Sequence, residues 1–274
     1  MVLSLDIGGS NIRIAEVRRD KIKNKRQVKT PETKKEIIKE IIGLIEMYGG
    51  YRAICVSTAG FEYKGRIQGA LNLDFNDVPL RKILHRKFKV PVYIQNDARC
   101  AALAELKYGA GRRFKNFVLL TLGTGIGGAV VINRRLYLGK GTAGEIGSML
   151  INKDIYEHLA SGTASVALAK KAGFKHISSL KLEELAKKHN KKALNVYKKV
   201  GYYLGVGLAN LSYELAPDCF IIGGGFSRVR FIFPEAKKTL RKKYRMSSKP
   251  EIIKAKLGDN AGLIGAALLP KYQV

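Results

Sequence analysis

The 274-residue chain is short of acidic residues, of cysteine and of long apolar runs. No apolar stretch approaches the roughly 20 residues that cross a bilayer as a helix, so no transmembrane segment is expected. Met1 leads straight into the apolar segment Val2 to Ile7, with no basic n-region or small-residue cleavage site, and the expected compartment is the cytoplasm. The three cysteines, Cys55, Cys100 and Cys219, are far apart and set in apolar surroundings. They read as reduced core residues rather than as a disulfide or metal set. There is no low-complexity linker, no zinc-finger spacing and no aromatic–basic RNA motif. The scarcity of acid is the largest departure: 22 Asp and Glu stand against 50 Lys and Arg, for a net charge of +28. Between Lys170 and Lys256 there are 21 basic and 6 acidic residues. Such an excess fits nucleic-acid or membrane-surface binding. It also fits solvated helix faces, because pairs such as Lys187-Lys188, Lys191-Lys192 and Lys198-Lys199 recur at helical spacing. With no nucleic-acid motif beside them, the solvated faces are the expectation, and nucleic-acid contact through the basic surface stays as the alternative.

What is present is organised around Leu120-Thr121-Leu122-Gly123-Thr124-Gly125-Ile126-Gly127-Gly128. This stretch lies between the apolar runs Phe117 to Leu122 and Ala129 to Ile132, and strand, glycine turn, strand is the simplest reading. Its glycines let the backbone approach a bulky anion, with amide N–H groups and Thr hydroxyls directed at phosphate oxygens. A bare glycine hairpin is the competing reading, weakened because a second such turn opens the chain. There, Val2 to Ile7 ends in Asp6-Ile7-Gly8-Gly9-Ser10-Asn11, and Ile12, Ile14 and Val17 mark a return strand. A carboxylate at a strand end beside a glycine turn can hold a hydrated Mg²⁺ near a phosphate; it can equally be a turn residue.

Ile22 to Val28 reads as a third strand, and Pro31 and Thr33 open a helix to about Tyr48 on the stripe Ile37, Ile38, Ile41, Leu44, Ile45. Ala53 to Ser57 is a buried strand, Thr58 to Asn76 a loop with Gly60, Pro79 to Phe88 a helix and Val92 to Ile94 a strand. Asn96-Asp97 then starts a helix, Ala98 to Tyr108. An acid between a strand end and a helix start is well placed for function and can take a proton from an attacking hydroxyl; the bland alternative is an N-cap. Gly139 to Gly147 is a loop with Glu145, and Ile155 to Gly173 is mainly helical with Glu157. Two such carboxylates can accept hydrogen bonds from vicinal sugar hydroxyls, or be surface charges. Leu180 to His189 and Ala193 to Ala216 read as helices and Cys219 to Ile222 as a buried strand before Gly223-Gly224-Gly225. Glu251 to Ala255 is a last strand and Ala261 to Leu269 a closing helix. With 46% hydrophobic residues the chain can bury one large core or two modest ones. The repeated strand–glycine turn–strand theme points to a duplicated fold.

Taken in this order the segments resemble the ROK family of sugar kinases and repressors, within the actin-like ATPase superfamily that includes hexokinase. Leu5 to Asn11 resembles its first phosphate motif, Asn96 to Glu105 its catalytic Asn-Asp-Ala segment, and Leu122 to Gly128 its second phosphate motif. Gly144 to Gly147 and Glu157 to Gly162 resemble its sugar-contacting segments, Ile221 to Ser227 its adenosine motif, and Asn260 to Ala267 its C-terminal signature. The implied fold is α/β: two actin-like (ribonuclease H-like) lobes with mixed five-stranded sheets and an interlobe cleft for ATP and sugar. The resemblance puts residues 1–113 and 260–274 in the small lobe and 114–259 in the large one. It implies that Asp97 accepts the proton of a hexose 6-hydroxyl attacking the γ-phosphate of ATP, and that Asp6 positions Mg²⁺, through water. Gly8, Gly9, Ser10, Asn11, Thr121, Gly123, Thr124, Gly125 and Gly127 would face the phosphates, and Gly224 and Gly225 the adenosine. Asn96, Glu145 and Glu157 would bind sugar hydroxyls, with Gly60 and Asn72 also lining the pocket.

One departure matters. The family places a His three residues after the Glu of its Gly-Glu-x-Gly segment and then a Cys-rich zinc loop. Here that position is Ser148, and Met149 to Tyr156 holds neither Cys nor His, so no structural zinc is expected. Glucose is the leading substrate; N-acetylmannosamine, N-acetylglucosamine and fructose are the alternatives, and another nucleotide or polyphosphate is an alternative donor. A repressor would need a DNA-binding segment before the first motif, which begins at residue 3 here, so an enzyme is expected. By analogy with relatives it would be a homodimer.

Overall fold

A computed structural model describes residues 1–63, 65–70 and 73–272. The chain divides into two compact units. One comprises Met1–Arg112, Leu138–Thr142 and the chain from Lys256 onward, and the other comprises Arg113–Tyr137 and Ala143–Ala255.

The first unit begins as the expected meander: β1 (Val2–Ile7), β2 (Asn11–Arg18) and β3 (Lys21–Lys29) pair antiparallel in turn. Thr33 caps α1 (Lys34–Glu46) in a capping box, its hydroxyl accepting from the Glu36 N–H while the Glu36 carboxylate accepts from the Thr33 N–H. This pairing satisfies two orphan donors at once, and α1 buries Ile37, Ile41, Leu44 and Ile45. The chain continues through β4 (Ile54–Thr58), β5 (Phe61–Tyr63), β6 (Arg66–Gln68), α2 (Leu80–Phe88), β7 (Val92–Asn96) and α3 (Asp97–Tyr108). β4 joins β1 in parallel and β7 joins β4, giving the sheet order β3-β2-β1-β4-β7. The β5–β6 hairpin occupies part of the stretch read as loop, because strands of three residues carry too few alternations to show a period.

The second unit repeats this plan. β8 (Phe117–Leu122), β9 (Ile126–Ile132) and β10 (Arg135–Tyr137) form an antiparallel meander. A small hairpin, β11 (Leu150–Ile151) with β12 (Asp154–Ile155), precedes α4 (Tyr156–Ala160), α5 (Gly162–Lys171), α6 (Ser179–Lys187) and α7 (Lys191–Leu215). Then come β13 (Cys219–Gly223), α8 (Phe233–Lys243) and β14 (Glu251–Lys254). β13 runs parallel to β8 and β14 parallel to β13, so the order β10-β9-β8-β13-β14 has the same directions as the first sheet. β8 and β13 are buried on both faces, as expected of near-continuous apolar runs. The stripe Val196, Val200, Leu204, Leu208 and Leu211 turns α7 into the core, while Lys187, Lys188, Lys191, Lys192, Lys198 and Lys199 are all exposed.

The chain returns to the first unit with α9 (Ala261–Ala266) and α10 (Leu269–Tyr272). The single closing helix read from the sequence is two short ones, since Pro270 has no N–H to continue the helical ladder.

Candidate active site

In the first unit the ends of three parallel strands lie side by side. Asp6 pairs with Ser57, and Ile7 pairs with Thr58, which pairs with Asn96. In such sheets the carboxyl ends of the strands are where ligands bind. Asp6 belongs to the strand rather than the turn, and its side chain is 15% exposed. Ser57 Oγ donates to Asp6 Oδ1 at 2.7 Å and Arg13 Nη1 to Oδ2 at 3.2 Å. Burial pushes the Asp6 carboxyl above its usual range, with Ser57 and Arg13 pulling the other way. Among the described residues no three His, Cys, Asp or Glu side chains gather as a metal cage. One carboxylate fits Mg²⁺ held mainly by water and phosphate, the ion's common arrangement with nucleotides. Beyond Asp6, the Gly8 N–H donates to the Asn11 carbonyl at 3.0 Å, and Thr30 Oγ1 donates to the Gly8 carbonyl at 2.6 Å. The turn is thereby fixed, with Gly9 and Ser10 exposed at its tip.

Asn96, not Asp97, caps α3: its Oδ1 accepts from the Ala98 and Arg99 N–H groups at 3.0 and 3.2 Å. Asn96 Nδ2 donates to the Gly60 carbonyl at 3.0 Å, so two predicted sugar-site residues are in direct contact. With the cap supplied by its neighbour, Asp97 is the first helical residue, partly exposed, with Oδ1 accepting from the Ala98 N–H at 2.7 Å. A helix N-terminus is a favourable place for a carboxylate. Asn72 lies outside the described residues.

In the second unit Leu122 pairs with Ile126 and leaves Gly123, Thr124 and Gly125 as a three-residue turn with Thr124 exposed. Thr121 pairs with Gly127 on one side and Gly223 on the other, so the second phosphate motif and the adenosine motif share a row of the sheet. Gly224 has φ +83°, and a Cβ there would lie 2.3 Å from the Leu122 carbonyl oxygen. Both conformation and space require glycine at that point.

The turn is also held from outside the sheet. Glu157, in the first turn of α4, accepts the Ile126 N–H on Oε2 at 3.1 Å, and the Gly162 N–H donates to the Gly123 carbonyl at 2.8 Å. A Cβ on Gly125 would come within 2.2 Å of Glu157 Oε2. Glu145 is exposed and immediately precedes the 3₁₀ turn Ile146–Ser148, and a Cβ on Gly147 would lie 3.3 Å from Glu157 Oε2. The two predicted sugar-contacting segments therefore pack against each other and against the phosphate turn. Where the family carries its zinc loop, the chain closes as the β11–β12 hairpin, with Asn152 at φ +60°, a conformation Asn tolerates.

Three supporting residues escaped the sequence reading: Arg13, Ser57 and Glu105. The hairpin register around Gly8 to Ser10 could have placed Arg13 opposite Asp6, whereas Ser57 approaches through a parallel pairing that no local pattern announces. Glu105 is fully buried. Its Oε1 accepts the Lys256 and Leu257 N–H groups at 2.8 Å each, and its Oε2 accepts the Ala110 N–H at 2.6 Å.

Comparison with known proteins gives this geometry a family. The sequence profile of the ROK family matches residues 2–273. A glucokinase of Streptomyces coelicolor is 29% identical, the alignment covering 99% of this chain and 98% of that one. An N-acetylmannosamine kinase of Haemophilus influenzae is 29% identical, covering 97% and 93%. Among solved structures, a ROK family glucokinase from Streptomyces griseus in complex with glucose and AMPPNP superposes with a TM-score of 0.85 at 26% identity, over 98% of each chain. By sequence over nearly its whole length and by the plan of both its sheets, this chain belongs to the ROK family.

Proposed function

We propose that this protein is a sugar kinase that transfers the γ-phosphoryl group of ATP to the 6-hydroxyl of a hexose, with glucose the first candidate. Sugar kinases among its relatives and structural neighbours support this reading. The observation that carries it is Asp97, set at the start of α3 where Asn96 supplies the cap. In the proposed step the sugar O6 bonds to the γ-phosphorus as the bond from phosphorus to the β–γ bridging oxygen breaks. The O6 proton passes to the Asp97 carboxylate, and ADP leaves with the bridging electron pair. Asp6 would hold Mg²⁺ through water, the ion supplying charge to the phosphates. The backbone of Gly8 to Asn11 and Gly123 to Gly127, with the Thr121 and Thr124 hydroxyls, would neutralise phosphate charge, and Gly224-Gly225 would lie against the adenosine. Such chemistry depends on positioning and electrostatics. Asn96, Gly60, Glu145 and Glu157 would hold the sugar.

A second reading, phosphorylation of an N-acetylhexosamine, is supported by the likeness to an N-acetylmannosamine kinase. Ser148 and the β11–β12 hairpin, standing where the family's sugar-touching His and zinc loop would be, alter the loop that bears on the choice of sugar. Release of ADP from Mg-ATP over a panel of hexoses and N-acetylhexosamines separates the two. Asp97→Asn should lower kcat about 10²- to 10⁴-fold with little change in KM, the usual scale for a lost general base. Absence of sugar-dependent release with every sugar of the panel would overturn the kinase reading.

A further inference from the structure

We propose that Glu157 is a positioning residue for the phosphate-binding turn as well as a ligand of the sugar, so that one carboxylate serves both substrates. The inference rests on the kinase reading above for the identity of those substrates. Its geometry lies wholly within the second unit.

The two oxygens of Glu157 are differently occupied. Oε2 accepts the Ile126 N–H, the first amide of β9 after the glycine turn. Oε1 accepts no hydrogen bond from the described residues, which leaves its lone pairs for hydroxyl protons. Glu157 therefore keeps Oε1 for sugar hydroxyls while Oε2 holds the turn. The contact with the turn is also close. Oε2 sits where a side chain on Gly125 would begin, 2.2 Å from the Cβ position. The absent side chain at Gly125 thus makes room for the carboxylate. A second tie runs through the same helices, since the Ser161 hydroxyl caps α5 by accepting the Ala164 N–H at 3.1 Å and the next residue's N–H, on Gly162, holds the Gly123 carbonyl. The turn Gly123–Gly125 is anchored at both ends to α4 and α5, and the Ile126 end depends on a charge-assisted bond of the stronger kind. Removing the carboxylate leaves that N–H unclaimed and the turn less defined before any sugar arrives.

The test measures each substrate alone by calorimetry: Mg-ADP without sugar, and glucose without nucleotide. Glu157→Ala should weaken Mg-ADP about tenfold, within the range for loss of a hydrogen bond to a charged group, and should weaken glucose as well. Glu157→Gln should restore Mg-ADP binding, because its amide oxygen still accepts the Ile126 N–H. It should leave glucose weak, because an NH₂ cannot accept the hydroxyl proton. Mg-ADP affinity unchanged in Glu157→Ala, or equally poor in Glu157→Gln, would overturn the proposal. Should Glu157→Ala fail to fold, Gly125→Ala decides. Its methyl must displace the carboxylate, so glucose affinity should fall although the substitution lies in the phosphate turn, and unchanged glucose affinity would refute the shared role. If the wild type binds Mg-ADP but no sugar, the kinase reading falls, and the Mg-ADP titrations still decide whether Glu157 positions the turn.

Discussion

Glu105 offers a demanding test of how the first unit is held together. It lies in the last turn of α3, where the helix dipole disfavours an anion, and it is fully buried. It persists because three backbone N–H groups, of Ala110, Lys256 and Leu257, point at its two oxygens. These are the stretches at which the chain leaves the first unit, after Arg112, and returns to it, at Lys256. Glu105→Ala strips the acceptor from all three donors and leaves a cavity where the carboxylate was. With about 1–3 kcal/mol for each buried unsatisfied group, partly relieved by water entering, the expected loss is about 3–5 kcal/mol. Glu105→Gln is the sharper variant. Its single oxygen can keep Lys256 and Leu257, but its NH₂ then faces the Ala110 N–H, donor against donor, for about 2 kcal/mol. Urea unfolding followed by far-ultraviolet circular dichroism reads both. If Glu105→Gln unfolds within about 0.5 kcal/mol of wild type, the scatter of an ordinary surface substitution, the carboxylate is not the anchor described.

The remaining predictions follow from single environments. Burial pushes the Cys55 and Cys219 thiols up to about 12 and Cys100 well above the usual thiol range. With almost no thiolate present, none should react with iodoacetamide in the native protein at pH 8, and all three should react once it is unfolded; rapid native labelling would contradict the burial. Asp6 binds its proton more tightly folded than unfolded, where the reference is 3.8. It therefore favours the native state below that value, and the contribution is lost as pH rises through the folded value. Urea midpoints should show wild type gaining on Asp6→Asn as pH falls from about 7 to 4, and losing ground instead would mean that Arg13 and Ser57 outweigh burial. Gly224→Ala forces a side chain onto φ +83° and against Leu122, and should cost about 2–4 kcal/mol of stability. Gly225→Ala points into open space and should leave the melting temperature unchanged while weakening Mg-ADP, if that glycine lies against the nucleotide.

Much of the scaffold was legible because it is written in local pattern. The apolar runs at Leu3 to Ile7 and Phe117 to Leu122 mark central strands, the stripe from Ile37 to Ile45 marks a helix, and Thr33 with Glu36 marks its start. The candidate site was proposed from motifs, and its contacts were not legible. Asp97 and Asn96 are neighbours, and only the strand-to-helix geometry shows that Asn96 does the capping. Ser57 reaches Asp6 across 51 residues, Glu157 reaches Ile126 across 31, and Glu105 reaches Leu257 across 152. No periodicity encodes such pairings, which arise when sheet order brings distant strand ends together.

The duplicated plan explains why the two motifs that look alike in sequence need different partners. By position in the two sheets Asp6 corresponds to Thr121, each lying on the central strand just before a glycine turn. The cross-strand partner of Asp6 is Arg13, whereas that of Thr121 is Gly127; on the other side Asp6 meets Ser57 and Thr121 meets Gly223. One row thus supplies a carboxylate with a hydroxyl and a guanidinium that partly offset the cost of burying its charge. The other supplies a hydroxyl between two residues without side chains, which leaves backbone open to an anion. A carboxylate at position 121 would have neither the guanidinium nor the serine, and it would stand beside the turn proposed to receive phosphate. The same scaffold thus presents a carboxylate in one row and open backbone in the other, a difference set by all three residues of each row and the basis of the two roles proposed for them.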